Sequence, residues 1–149
     1  MIVRIEDKSY EFKTTFMEYT WSEFVPILKA RSLPFAERLS VYTNIPIDVL
    51  NRLPIDYLGN LIEVVKFNED EELLITLSEE YQSGQQIHFH SYGRYEQVRQ
   101  IVKGKEVIDV IHEVVKVYNG MNISSMPLLK VFKVAMFYLS SLNEFIARY

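Results

Sequence analysis

Prolines at positions 34, 46 and 54 cut the apolar stretch from Phe35 to Phe67 into pieces too short for one long helix. A proline ring removes a backbone N–H and crowds the residue before it, so each proline ends one helix or opens the next. Phe35, Leu39 and Tyr42 share a helical face, with Ala36 and Val41 flanking it, and Thr43-Asn44-Ile45-Pro46 breaks the run. Ile47, Val49, Leu50 and Leu53 make a second short helix, with Pro46 near its first turn. Beyond Pro54, the residues Tyr57, Leu58, Leu61, Ile62 and Val65 return to three- and four-residue spacing. The spacing predicts a compact helical subdomain built of three short helices.

The flanks complete the expectation. Ile2, Val3 and Ile5 lead into the polar group Glu6-Asp7-Lys8-Ser9, and Tyr10 and Phe12 alternate after it. That pattern predicts a β-hairpin that must pack on something else to persist. Thr20 stands three residues before Glu23, a capping box opening a helix through Phe24, Ile27 and Leu28; Pro26 is tolerated only in its first turns. Residues 73–78 and 86–90 alternate and predict a central two-strand element, although 73–78 also fits the end of a helix. Gly93 precedes a short helix ending near Lys103-Gly104. Val107 to Tyr118 is apolar almost all round and reads as a buried helix. Ser124 or Ser125 with Pro127 opens a last helix, whose apolar stripe runs through Leu128, Val131, Phe132, Ala135, Met136 and Leu139 to Phe145 and Ile146. Lys130, Lys133, Ser140 and Ser141 fall on its other side. The fold expected is mainly α with a small β component (α+β). It is one compact domain over 1–149, softly divided into 1–68 and 86–149.

Composition narrows the function. The chain has 149 residues, 48% hydrophobic and 24% charged, enough for a real core. Cysteine is absent, which removes disulfide scaffolds, thiolate metal sites and cysteine nucleophiles. No apolar run reaches membrane-spanning length and the Met1 end carries no secretory pattern, so a reducing cytoplasm is the expected compartment. Residues 1–75 hold 13 acidic against 8 basic side chains, and residues 76–149 hold 7 against 8. Scattered cations on an acidic chain argue against a phosphate-binding surface. The run Glu69-Asp70-Glu71-Glu72 reads as a solvated turn.

Few residues suggest chemistry. His88 and His90 would share one face of a strand, and His112 would supply a third nitrogen, the number a catalytic zinc site uses. No ligand spacing or partnered carboxylate accompanies them, so no metal, cofactor or catalytic residue is expected and the protein is read as a non-enzyme. A histidine-metal hydrolase is the alternative they leave. Residues 36–53 mimic a helix-turn-helix, which would make the chain a DNA-binding regulator. The second helix, however, opens Pro46-Ile47-Asp48-Val49, with an acid where a phosphate would approach. No glycine-rich phosphate loop and no nucleophile elbow is present.

What remains is an excess of aromatics: ten Tyr, nine Phe and one Trp. Phe132, Phe145 and Tyr57 are expected in the core. Tyr10, Phe12, Trp21, Tyr92, Tyr95, Phe145 and Tyr149 are the candidate partner contacts, because Tyr and Trp anchor interfaces with few torsions to fix.

The order of these features carries a resemblance. A hairpin Val3-Arg4-Ile5…Tyr10-Glu11-Phe12 is followed by a helix with Trp21 and Phe24. Then come Leu39-Ser40-Val41-Tyr42-Thr43-Asn44-Ile45-Pro46, Leu50, Leu53 and a helix ending Val64-Val65-Lys66-Phe67. This resembles small morphogenesis proteins of tailed bacteriophages, of the tail-assembly-chaperone kind, over residues 1–67. Tyr92-Gly93-Arg94-Tyr95-Glu96 and two helices after it are compatible with such proteins. The resemblance implies a non-enzymatic protein for virion assembly or structure, bound to other phage or assembly proteins or to itself. Its place would be the host cytoplasm during assembly, or the virion. It assigns no functional residue.

Overall fold

A computed structural model describes residues 1–81, 92–105, 110–111, 113–115 and 123–137. The protein is mostly helical with a small antiparallel sheet. It divides into two compact units, Met1–Leu74 and Ile75–Tyr149.

The first unit opens with β1 (Ile2–Ile5) and β2 (Lys8–Glu11), paired so that Val3 faces Tyr10 and Ile5 faces Lys8. Only Glu6 and Asp7 form the turn, at φ 52° and 67°. Two successive left-handed residues match the twist of the strands they join. The ladder extends one pair further, with Met1 and Phe12 exchanging both backbone hydrogen bonds at 2.8 and 3.0 Å. The face shared by Val3, Ile5, Tyr10 and Phe12 turns inward, and Phe12 and Ile5 are buried.

Four helices follow: α1 (Trp21–Ala30), α2 (Phe35–Thr43), α3 (Ile47–Leu50) and α4 (Ile55–Val65). The Thr20 amide donates to Glu23 Oε1 at 2.9 Å, so the expected capping box starts α1. Helix α1 runs through Pro26, whose missing N–H leaves the carbonyl of exposed Ser22 to water. Helices α2, α3 and α4 start alike. Pro34, Pro46 and Pro54 each sit at the position just before the helix, φ −56° to −57°, and each carbonyl accepts the amide four residues on, at 3.0 Å. A proline costs nothing there, because that residue's N–H lies outside the helical ladder. Pro127 repeats the device in the second unit.

The corner between α2 and α3 closes its own polar groups. Asn44 ends α2 in the left-handed conformation, φ 60°. Thr43 Oγ1 donates to the Leu39 carbonyl at 2.8 Å and accepts the Ile45 amide at 3.3 Å. Ser40 Oγ donates to the Ile45 carbonyl at 2.7 Å, so buried Ile45 has both backbone groups satisfied by side chains. The hairpin docks on this corner: Asn44 Nδ2 donates to the Glu11 carbonyl at 2.6 Å.

The aromatic core of this unit is a set of edge-to-face contacts. Phe16 meets Phe24 and Phe67 at 5.8 and 5.0 Å between ring centroids, and Tyr19 meets Phe24 at 5.2 Å. One core assignment changes, that of Tyr57, and the face shared by Phe35, Leu39 and Tyr42 is buried only in part. Phe35 and Tyr57 are exposed, because Leu39, Tyr42 and Thr43 supply the buried face of α2 and Leu61 and Val65 that of α4. The Arg38 guanidinium covers the Phe35 ring at 5.8 Å.

Residues 73–78 are helical, not a strand, within α5 (Glu71–Glu80). Asp70 starts this helix, its Oδ1 accepting the Leu73 amide at 3.0 Å and its carbonyl the Leu74 amide at 3.1 Å. Leu74 and Ser78, four apart, are its buried residues, and that spacing overrides the alternation. The acidic run is therefore a helix start, with Glu71 and Glu72 near the positive end of the backbone dipole.

In the second unit α6 (Tyr92–Val102) ends at Gly104, φ 69°. That left-handed position carries no penalty for glycine. Residues 110–111 and 113–115 are helical, with Val110, Ile111, Val114 and Val115 buried. The helix over 128–137 buries Leu129 and Val134 in addition to the expected Leu128, Val131, Phe132 and Ala135. Lys133, expected on the solvated side, is half-buried and donates to the carbonyls of Glu79 and Tyr81 at the end of α5. A cation at a helix C-terminus meets unpaired carbonyls and the negative end of the dipole.

Candidate contact surface

The polar side chains of the first unit hold its own elements together. Arg31 Nη1 reaches Glu71 Oε1 at 2.6 Å, and its Nη2 donates to the Asn68 carbonyl at 2.9 Å. Buried Asn68 accepts the Tyr19 hydroxyl at 2.9 Å and donates to the Val65 carbonyl at 2.9 Å. Glu69 Oε1 lies 3.2 Å from Arg38 Nε and accepts the Tyr42 hydroxyl at 3.0 Å. Burial, the Glu69 hydrogen bond and the Glu69 charge push the Tyr42 phenol up to about 12. Burial drives the Tyr19 phenol higher still. Both phenols are thus neutral structural donors, and the arginines clamp the segment after α4 onto α1 and α2.

On the exposed side, Arg52 grips Glu6 with Nε at 3.0 Å and Nη2 at 2.7 Å. That hydrogen bond, then the Arg52 charge, lowers the Glu6 pKa. The Thr14 hydroxyl does the same for Glu18, and the Thr20 amide for Glu23. A groove of about 610 Å³ lies beside β2, α1 and α2, lined by Phe12, Tyr19, Ile27 and Tyr42. Its rim charges Lys13 and Glu23 pair with each other at 3.4 Å.

The candidate partner residues separate. Phe12 is 2% exposed and Trp21 3%, so both are core groups and not surface anchors. Their neighbours decide this: Phe12 lies on the inward face of the hairpin, and Trp21 begins the buried stripe Trp21, Phe24, Ile27 of α1. Tyr10 is half-buried opposite Val3. Tyr92 and Tyr95 lie in the first turn of α6. Phe145 and Tyr149 fall outside the described residues, as do His88, His90, His112 and the expected strand 86–90. Among the described residues no three His, Asp or Glu side chains are grouped to hold a metal, and no helix is long and apolar enough to cross a membrane. Helix α3, the would-be reading helix of residues 36–53, is one turn long, with Asp48 in that turn 3.6 Å from Arg52. A groove-reading helix needs several side chains in line, which one turn does not supply.

The large apolar side chains that do face solvent are others. Ile55 is 85% exposed, Met17 71% and Ile2 68%. Ile55 is not isolated: Leu58 and Ile62 follow it at helical spacing on α4, each half-buried. Together they form an apolar ledge beside the buried positions Leu61 and Val65. The sequence pattern hides this ledge, because Leu58, Leu61, Ile62 and Val65 read as one core-facing stripe. No protein-family model, curated protein or solved structure matches the chain.

Proposed function

We propose that this chain is a non-enzymatic bacteriophage protein of virion assembly or structure, working by contact with other assembly proteins. One observation supports it most. Tyr19, Arg31 and Tyr42 are engaged in holding the segment Asn68–Glu71 onto α1 and α2, whereas aliphatic side chains stand in solvent on α4. A surface of that kind suits association. The resemblance of residues 1–67 to tail-assembly-chaperone-like proteins points the same way.

The test is the native mass of the protein taken from the cells that make it, followed by its stoichiometry in purified particles. A heteromeric mass of fixed composition is expected. A protein that remains alone throughout particle production would remove the reading. Stoichiometric presence in finished particles would select a virion component over a transient chaperone.

A further inference from the structure

Gly59 sits in the middle of α4, in ordinary helical conformation, with open space where a side chain would stand. Glycine is the least favourable interior helix residue after proline. The fold itself draws nothing from it here: no positive φ requires it and no neighbouring backbone approaches. It lies on the same side of α4 as Ile55 and Ile62, one helical turn from each. The result is a notch between two aliphatic knobs, the shape that admits a second helix at short range.

The charges beside the notch say what kind of helix. Asp56 and Glu63 line the outer edge of the ledge, both exposed. At its C-terminal end Glu63 and Lys66 pass into a shallow groove of about 690 Å³ floored by Phe67 and Leu73. Glu69, Asp70, Glu71 and Glu72 surround that groove. Arg38 pairs with Glu69, Arg31 with Glu71 and Lys66 with Glu63, so five carboxylates meet three cations and the rim stays acidic. Residues 1–75 as a whole are acidic, with 13 carboxylates to 8 cations, so a second copy of the same acidic surface would be repelled. We infer that the Ile55–Gly59–Ile62 ledge receives an amphipathic helix of a partner protein, with aliphatic residues seated on the notch and Lys or Arg along its flanks. This rests on the contact-protein reading above and gives the partner's chemistry.

The experiment uses the full chain and two labelled helical peptides of about 18 residues, long enough to hold a helix. Both carry the same leucine face; one has lysines on its polar face and the other glutamates. The lysine peptide is expected to bind saturably and to weaken as salt rises, and the glutamate peptide not to bind. Gly59→Leu and Ile55→Ser each lower affinity at least about tenfold, whereas Met17→Ser, at an exposed site elsewhere, leaves it unchanged. Gly59→Ala separates the roles: it raises the melting temperature and weakens binding together. Equal binding of both peptides, or equal loss with Met17→Ser, overturns the inference. So does a self-associated chain dissolved by Ile55→Ser, which would give the ledge to a second copy. A heteromer from producing cells that persists with Gly59→Leu would sink the ledge and leave the contact-protein reading standing. Peptide binding with no heteromer in cells would sink that reading instead.

Discussion

Arg52 holds Glu6 in a two-point grip across 46 residues of sequence, closing the hairpin turn onto the segment after α3. Glu6 sits at φ 52°, a conformation unfavourable for a side chain with a Cβ. The pair thus holds a backbone shape that glutamate alone resists. Arg52→Met is expected to lower the melting temperature, and Glu6→Gly to recover part of the loss in the Arg52→Met background, because glycine adopts the turn freely. A double-mutant cycle by thermal unfolding checks this; equal additive losses would contradict it.

The same pair sets an acid limb. The folded Glu6 pKa lies below its unfolded value of 4.5, so its contribution is present above 4.5 and is lost as pH falls through the lower folded value. Glu18 and Glu23 act in the same direction. The Arg52→Met protein is expected to lose less stability than the wild type on acidification from pH 4.5 downward. Parallel denaturant titrations measure the difference.

Tyr42 sets an alkaline limb. Its folded pKa, about 12, exceeds the unfolded 10, so the neutral hydroxyl contributes fully below pH 10 and the contribution fades as pH rises toward 12. Tyr42→Phe is expected to flatten stability between pH 10 and 12. An unchanged slope would mean the phenol is not the group responsible.

Pro26 is a local misfit in α1. Pro26→Ala restores a donor for the Ser22 carbonyl and is expected to stabilise the protein by about 1–3 kcal/mol. Denaturant unfolding reads this directly, and destabilisation would show that the exposed ring packs better than its position implies.

Buried aromatic and polar residues should fail as core residues do. Phe24→Ala is expected to cost about 3–5 kcal/mol, with a similar figure for Trp21→Ala. Tyr19→Phe strands the buried Asn68 Oδ1 and is expected to cost about 1–3 kcal/mol. A Trp21→Ala protein that kept wild-type stability would restore Trp21 as a surface residue.

Local signals carried most of the legible fold. The Thr20–Glu23 box and the prolines at 34, 46 and 54 each fix a backbone event within a few residues and stand where expected or one position away, while the hairpin turn is tighter than the polar group Glu6-Asp7-Lys8-Ser9, with Lys8 and Ser9 already in β2. Residues 73–78 are ambiguous in sequence because Leu73, Ile75 and Leu77 alternate; Asp70 as the helix start resolves them. Sidedness was harder. Short helices present several apolar residues, and only long-range docking decides that Leu39 goes in while Phe35 stays out, or that Leu61 goes in while Ile55 stays out. That is also why aromatic content led to Phe12 and Trp21 as contacts and missed the aliphatic ledge on α4.

The bend at Thr43–Pro46 carries its own scaffold. Its shape is written by two hydroxyls, Ser40 and Thr43, acting on backbone no more than five residues away. Such a joint has its backbone polar groups closed locally, and distant packing is added through buried Ile45 and the Asn44 bond to Glu11. The angle between the two helices it links is therefore inherited with a handful of letters, and losing either hydroxyl would leave a backbone group of buried Ile45 without its partner.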